Sequence, residues 1–175
     1  IIKATNTIYI EPKNRKIYAY NTDVIGFELS LKNFLPKNKK YTALILGSGG
    51  ASKAVQFVLK NMQIDFRIVS RNKSAANLIY SELDLNIYKK HNLIINTTPL
   101  GTFPDIDNAP EIDFNNINNN HFLFDLIYNP SETIFLKKGR EKGAKIKNGL
   151  EMLKIQAVES WKIWHKNINK SFKTF

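Results

Sequence analysis

The sequence predicts a doubly wound α/β fold, a parallel sheet with helices on both faces. Three observations lead there. Short apolar runs alternate with stretches of helical periodicity. The runs lack the polar alternation of half-exposed strands, so they read as strands buried on both sides. A glycine-rich turn joins the first of these runs to a helix, as strand–helix alternation with right-handed crossovers requires.

The elements follow in order. Residues 7–20 read as a hairpin: Thr7-Ile8-Tyr9-Ile10 and Lys16-Ile17-Tyr18-Ala19-Tyr20 are β-prone, and Pro12-Lys13-Asn14 supplies the turn. Thr22 or Asp23 then caps a helix reaching about Phe34, in which Val24, Phe27, Leu31 and Leu35 recur at helical spacing. Pro36 ends it. Residues 41–46 form the first buried strand, Gly47-Ser48-Gly49-Gly50-Ala51 the turn, and Ser52 to about Asn61 a helix. Residues 66–69 are a second strand, followed by a helix from about Ser74. Residues 93–96 and 122–125 are further strands, and 131–142 another helix. The asparagine-rich stretch 115–120 is a loop. From Gly149 to about Lys166 an amphipathic helix carries Leu150, Leu153, Ala157, Trp161 and Trp164. No internal repeat is visible.

Composition bounds the function. With 175 residues, 43% of them hydrophobic, the chain can build one core with an appendage. No apolar run approaches the roughly 18 residues of a membrane span. The first residue is Ile1, not Met, so a preceding leader stays open. Without cysteine there is no disulfide, thiol catalysis or thiolate metal site. The formal charge of +11 invites an anionic partner, but the lysines are scattered and no arginine stripe with interleaved aromatics occurs, so no nucleic-acid partner is expected. His91, His121 and His165 lie far apart, and no metal site is expected.

The glycine turn carries the first functional signal. Gly47 permits a tight turn, Gly49 lets backbone approach a pyrophosphate, and Ser52 supplies a small residue at the helix–strand contact. The helix N-terminus adds positive potential for phosphates. This context makes the fold Rossmann-type. An NAD enzyme usually places Asp or Glu at the end of the second strand, about 20 residues on. Here that point reads Ser70-Arg71-Asn72-Lys73, with no carboxylate. A guanidinium grips a 2′-phosphate that an acid would repel. The expected cofactor is therefore NADP, with Arg71 as its main reader. The competing account of Arg71 is a solvated surface charge.

Several segments now stand together: Asn6-Thr7, Asn21-Thr22-Asp23, the run from Gly47 to Ser52, Asn96-Thr97-Thr98-Pro99-Leu100-Gly101, Asp125-Leu126-Ile127-Tyr128-Asn129-Pro130, and Asn148-Gly149-Leu150-Glu151-Met152-Leu153-Lys154-Ile155-Gln156-Ala157. In this order they resemble shikimate dehydrogenases over nearly the whole chain. The resemblance implies a cytoplasmic oxidoreductase of aromatic amino-acid biosynthesis that reduces 3-dehydroshikimate with NADPH. It implies a Rossmann-type domain over 24–148, remnants of a second, substrate-binding domain in the hairpin of 1–23, and a helix over 149–175 returning to that domain. Asp23 matches the catalytic aspartate. Its lysine partner belongs to a segment ahead of Asn6 that this chain lacks, so the fragment alone is expected to be inactive. The apolar faces of hairpin and last helix are then left exposed, disordered or buried in a homodimer.

Other roles carry over one at a time. Asn6, Asp23, Tyr128 and Gln156 match substrate contacts. Gly47, Ser48, Gly49, Gly50 and Ala51 match the pyrophosphate loop, and Ser70, Arg71, Asn72 and Lys73, on to Ala75, the 2′-phosphate loop. Thr97 ends a strand on the cofactor side, and Leu126 and Gly149 match positions beside the nicotinamide. On their own residues, Asp23 reads equally as a helix cap, Tyr128 as a strand-end aromatic and Gln156 as a helix-surface amide. Lys3-Ala4-Thr5, Ala19, Val24 and Thr102 depart from the family's usual residues. A quinate/shikimate paralogue or a non-catalytic relative is the nearest alternative; a basic nucleic-acid-binding scaffold is the more distant one.

Overall fold

A computed structural model describes residues 4–172. Residues 1–3 and 173–175 of the expected segments, Lys3 among them, lie outside the described residues.

The chain opens with an antiparallel hairpin, β1 (Thr7–Ile10) and β2 (Ile17–Tyr20), in which Thr7 faces Tyr20 and Ile10 faces Ile17. Helix α1 (Thr22–Phe34) follows. Its cap is neither Thr22 nor Asp23 but Asn21, whose side chain accepts from the Val24 amide at 3.3 Å. Asn21 is in extended geometry one position earlier, where the carbonyl of a short amide reaches the third helical amide.

The main sheet is parallel, with β3 (Thr42–Leu46) between β4 (Asp65–Val69) and β5 (Leu93–Asn96), then β6 (Phe122–Asp125) and β7 (Lys145–Lys147). Strand order therefore reverses between β3 and β5. Leu44, Ile45 and Leu46 are fully buried, as are Leu93, Ile94 and Ile95. Alternate residues feed two cores. Ala43, Ile45, Leu93, Ile95 and Phe124 meet Phe27 and Leu31 of α1 and Val55, Val58 and Leu59 of α2 (Gly50–Asn61). Leu44, Leu46, Ile94 and Leu123 meet Tyr88 of α3 (Leu85–Lys90) and Phe135 and Leu136 of α4 (Ile134–Glu141). Both faces are covered, and the expected doubly wound fold stands.

Further readings need correction. No helix starts at Ser74. A single 3₁₀ turn occupies Lys73–Ala75, a second Tyr80–Glu82, and α3 begins only at Leu85. Polar side chains take the backbone instead. Asn72 Oδ1 accepts from the Ser74 amide at 3.0 Å, and Asn77 Oδ1 from the Ile68 amide at 2.9 Å, while Val69 bridges Leu78. Strand β7 was not expected; its three residues pair with Phe122 to Phe124.

The last helix, α5 (Leu150–Phe172), does not bury the stripe its sequence suggests. Leu150, Trp161 and Trp164 are exposed, while Ser160 is buried and Met152 and Gln156 turn toward α1. Gly26 of α1 permits this approach: a Cβ there would lie 2.7 Å from the Met152 carbonyl. The exposed apolar face continues on the hairpin through Ile8, Ile10 and Ile17, and Trp164 Nε1 donates to the Ile8 carbonyl at 3.1 Å.

Candidate functional site

A crevice of about 410 Å³ opens over the carboxyl ends of the strands, beside the reversal of strand order. In open α/β sheets ligands bind at this point. Gly47, Ser48 and Gly49 line it from the β3 turn, Ser70 and Arg71 from the end of β4, and Thr97 to Leu100 from the end of β5. Gly47 has φ near +105°, and a Cβ on it would lie 2.8 Å from Thr97 Oγ1. Thr97 is fixed there by its own amide and hydroxyl, both donating to the Leu46 carbonyl at 2.9 and 2.7 Å. Gly49 and Gly50 face open space, so another molecule's polar group can come close to their backbone. Helix α2 has no side-chain cap. Its first amides are thereby left for an anion.

Arg71 is exposed and takes part in none of the ion pairs among the described residues. It stands close to Tyr80, which also lines the crevice: burial pushes that phenol above its usual range, the Arg71 charge opposes the shift in part, and Glu111, on the same crevice, adds to it. Ser48 and Ser70 join the two loops by a hydroxyl pair at 3.3 Å. Asn72 and Lys73 sit farther out. Asn72 caps the 3₁₀ turn, and Lys73 is bound by the Glu82 carboxylate. Gly50 and Ala51 open α2 beside the crevice.

A second cluster gathers where β1, α1 and α5 meet. Asn6 Oδ1 accepts from the Thr22 amide at 2.9 Å, and its Nδ2 donates to Thr22 Oγ1 at 3.0 Å. The hydroxyls of Thr7, Thr22 and Ser160 form a triangle, with Ser160 at 2.7 Å from Thr7 and 2.9 Å from Thr22. Thr22 also donates to Gln156 Oε1 at 3.3 Å. Asp23 is half-buried at the entrance to α1. Burial pushes its carboxyl above the usual carboxylate range, opposed in part by a hydrogen bond from Asn6. Because Asn21 is the cap, Asp23 is free of that duty. Asn6, Asp23 and Gln156 thus belong to one cluster; Tyr128 is exposed on the loop after β6. Gly149 is packed so tightly that a Cβ would lie 2.0 Å from the Leu126 carbonyl. Leu126 and Gly149 are therefore neighbours.

Two buried residues were given no role in the sequence reading. Asp125, fully buried at the end of β6, accepts from Asn96 Nδ2 at 3.1 Å, from the Ile127 amide at 3.1 Å and from Thr133 Oγ1 at 2.6 Å. Ser160 closes the hydroxyl triangle. A strand-end Asp followed by a helix-capping Thr eight residues on was the available signal for the first; the second had none.

Comparison with known proteins bears on what these sites serve. No family model matches the chain. Over 94% of its length it is 41% identical to the NADP(+) shikimate dehydrogenase of Methanococcus aeolicus, covering 63% of that protein. It is 40% identical to the enzyme of the same name from Aquifex aeolicus, covering 61% of it. The chain is thus similar to shikimate dehydrogenases over nearly its whole length. The solved Aquifex aeolicus shikimate dehydrogenase superposes with a TM-score of 0.79 at 36% identity, over 93% of this chain and 62% of that one. A second such enzyme, solved with NADP+, gives 0.77 at 33% identity, over 93% and 61%. That of Thermus thermophilus, solved with NADP(H) and shikimate, gives 0.78 at 29% identity, over 93% and 62%. The chain spans a little under two thirds of the length of these shikimate dehydrogenases. Among the described residues no helix is long and apolar enough to cross a membrane, and no group of three or more His, Cys, Asp or Glu could hold a metal ion.

Proposed function

We propose that this chain is the NADP-binding part of a shikimate dehydrogenase, acting in the interconversion of 3-dehydroshikimate with NADPH and shikimate with NADP+. The observation that carries the reading is the crevice itself: a glycine turn after the central strand, opposite an unpaired guanidinium and with no carboxylate at the end of β4. The relatives' names and the NADP complexes among solved structures support it.

The residues present fit the cofactor. Gly47 to Ala51 would take the pyrophosphate on backbone amides and the α2 N-terminus. Arg71 would grip the 2′-phosphate with paired, charge-assisted hydrogen bonds, with Ser70 and Asn72 beside it. Lys73 adds positive potential weakened by its Glu82 partner. Thr97, Leu126 and Gly149 would border the nicotinamide end. When bound, the cofactor supplies or accepts the hydride.

The rest falls to the polar cluster. Asn6, held at both ends by Thr22, presents a fixed amide and orients the Asp23 carboxylate. A carboxyl raised by burial is suited to orient a proton-relay group at the substrate hydroxyl and to tune it. Gln156 and Tyr128 would meet the ring hydroxyls. We assign the hairpin of 1–23 and the helix of 149–175 to the substrate side, and 24–148 to the cofactor.

Two assays test this. NADP+ should bind the chain better than NAD+, and Arg71→Ala should abolish the preference. The gene product should form NADPH when given shikimate, and Asp23→Asn should cut that rate by at least about a hundredfold, the scale of one positioned acid–base group. A rate untouched by Asp23→Asn removes it from the reaction.

A further inference from the structure

Among the described residues Asp125 is the one fully buried carboxylate. Its partners are three neutral donors: the Asn96 amide, the Ile127 N–H and the Thr133 hydroxyl. None of the ion pairs among the described residues includes it. A buried anion without a cation is costly, and three hydrogen bonds offset only part of that cost. Here burial pushes the carboxyl up to about 6, so it still carries its charge at neutral pH.

Its position gives that charge a use. Asp125 ends β6, in register with Asn96 at the end of β5. Asn96 Oδ1 in turn accepts from the Thr98 amide at 3.0 Å and the Thr98 hydroxyl at 2.7 Å. Thr97 and Thr98 line the crevice, so the carboxylate lies one residue layer beneath its floor. A dinucleotide whose 2′-phosphate end is at Arg71, beyond β4, and whose pyrophosphate is at the β3 turn must continue across β5 toward β6. Its last ring would then lie on the β5–β6 side of the crevice, nearest the carboxylate beneath Thr97 and Thr98. That ring is a cation when oxidised and neutral when reduced.

We propose that Asp125 is the counter-charge of the oxidised nicotinamide, a positioning residue that makes the site favour NADP+ over NADPH. The inference rests on the cofactor reading above. The field of a buried carboxylate reaches through protein far more strongly than through water, so direct contact is not required. The hydrogen-bonded frame of Asn96, Ile127 and Thr133 holds the charge beneath the crevice floor, and no neighbouring group in that frame titrates.

The test is the ratio of the dissociation constants for NADP+ and NADPH. Asp125→Asn keeps shape and removes charge. It should weaken NADP+ by about threefold or more while leaving NADPH within about twofold, an electrostatic effect acting on one redox form alone. Thr133→Val removes the hydrogen bond that most favours the charged form, and should move the ratio in the same direction as Asp125→Asn but less far. Should Asp125→Asn fail to fold, the native chain still answers by calorimetry near pH 6, in buffers of differing ionisation enthalpy. NADP+ binding should release more protons than NADPH binding, and the 2′-phosphate, common to both, cancels. A ratio unmoved by Asp125→Asn, or equal proton release, overturns this inference alone. A native chain that binds neither form overturns the cofactor reading and this inference with it.

Discussion

Replacing Asp125 by Asn removes a buried charge from a site that barely tolerates it. In the fold its carboxyl is pushed up to about 6, from 3.8 when unrestrained. The first cause is burial; hydrogen bonds from Thr133, Ile127 and Asn96 act in the opposite direction. A raised acid binds its proton more tightly in the fold than in the unfolded chain. The stability it contributes is therefore fully present below pH 3.8 and is lost as pH rises through 6. The loss amounts to about two pKa units, or about 3 kcal/mol. Asn cannot titrate and loses nothing. Whatever the offset between the two proteins at pH 4, the stability of Asp125→Asn relative to the native chain should rise by about 2–3 kcal/mol on going to pH 8. Urea unfolding followed by circular dichroism across that range reads the difference directly. Two stability curves that run parallel in pH would refute the reasoning, because the carboxyl would then have the same pKa folded and unfolded.

Other consequences follow from close contacts. Gly149→Ala places a Cβ 2.0 Å from the Leu126 carbonyl, so the two loops must separate. Thermal unfolding should register a loss of about 1–3 kcal/mol, with cofactor binding weakened as well. Ser160→Ala leaves the Thr7 and Thr22 hydroxyls without their shared partner. It should cost about 1–3 kcal/mol in denaturant, whereas Trp161→Ala, on the exposed side of α5, should cost under about 0.5 kcal/mol. Gly47→Ala, strained at φ near +105° and facing Thr97 Oγ1, should lower the thermal stability of the chain more than Gly49→Ala, which meets open space, whereas Gly49→Ala should weaken cofactor binding in isothermal titration by filling the space the pyrophosphate would take.

How far the sequence foretold the molecule depends on where each signal resides. Strands β3, β5 and β6 were placed within a residue because an uninterrupted apolar run has one meaning when both faces are buried. The glycine turn and Arg71, which line one crevice, could be singled out because a turn after a buried strand and a basic residue at the end of the next are local features. The stretch after β4 misled because Asn72 and Asn77 spend their side chains on backbone amides, a competition that helix propensity does not register. Strand β7 has only three residues, two of them lysines, and its pairing with β6 is a tertiary fact. On α5, apolar periodicity picked Trp161 and Trp164, but Gly26 lets the helix come down on α1 with Gln156 and Ser160 inward. The hydroxyl triangle joins residues 138 and 153 positions apart, and no local pattern announces it.

The central claim is that the crevice holds a 2′-phosphorylated dinucleotide read by Arg71, and competitive titration of the chain with NADP+ and NAD+ tests it most directly. Paired charge-assisted hydrogen bonds are each worth about 1.5–3 kcal/mol, so NADP+ should bind at least about tenfold more tightly, and Arg71→Ala should bring the two to parity. Equal affinities in the native chain, or a preference that survives Arg71→Ala, would contradict it.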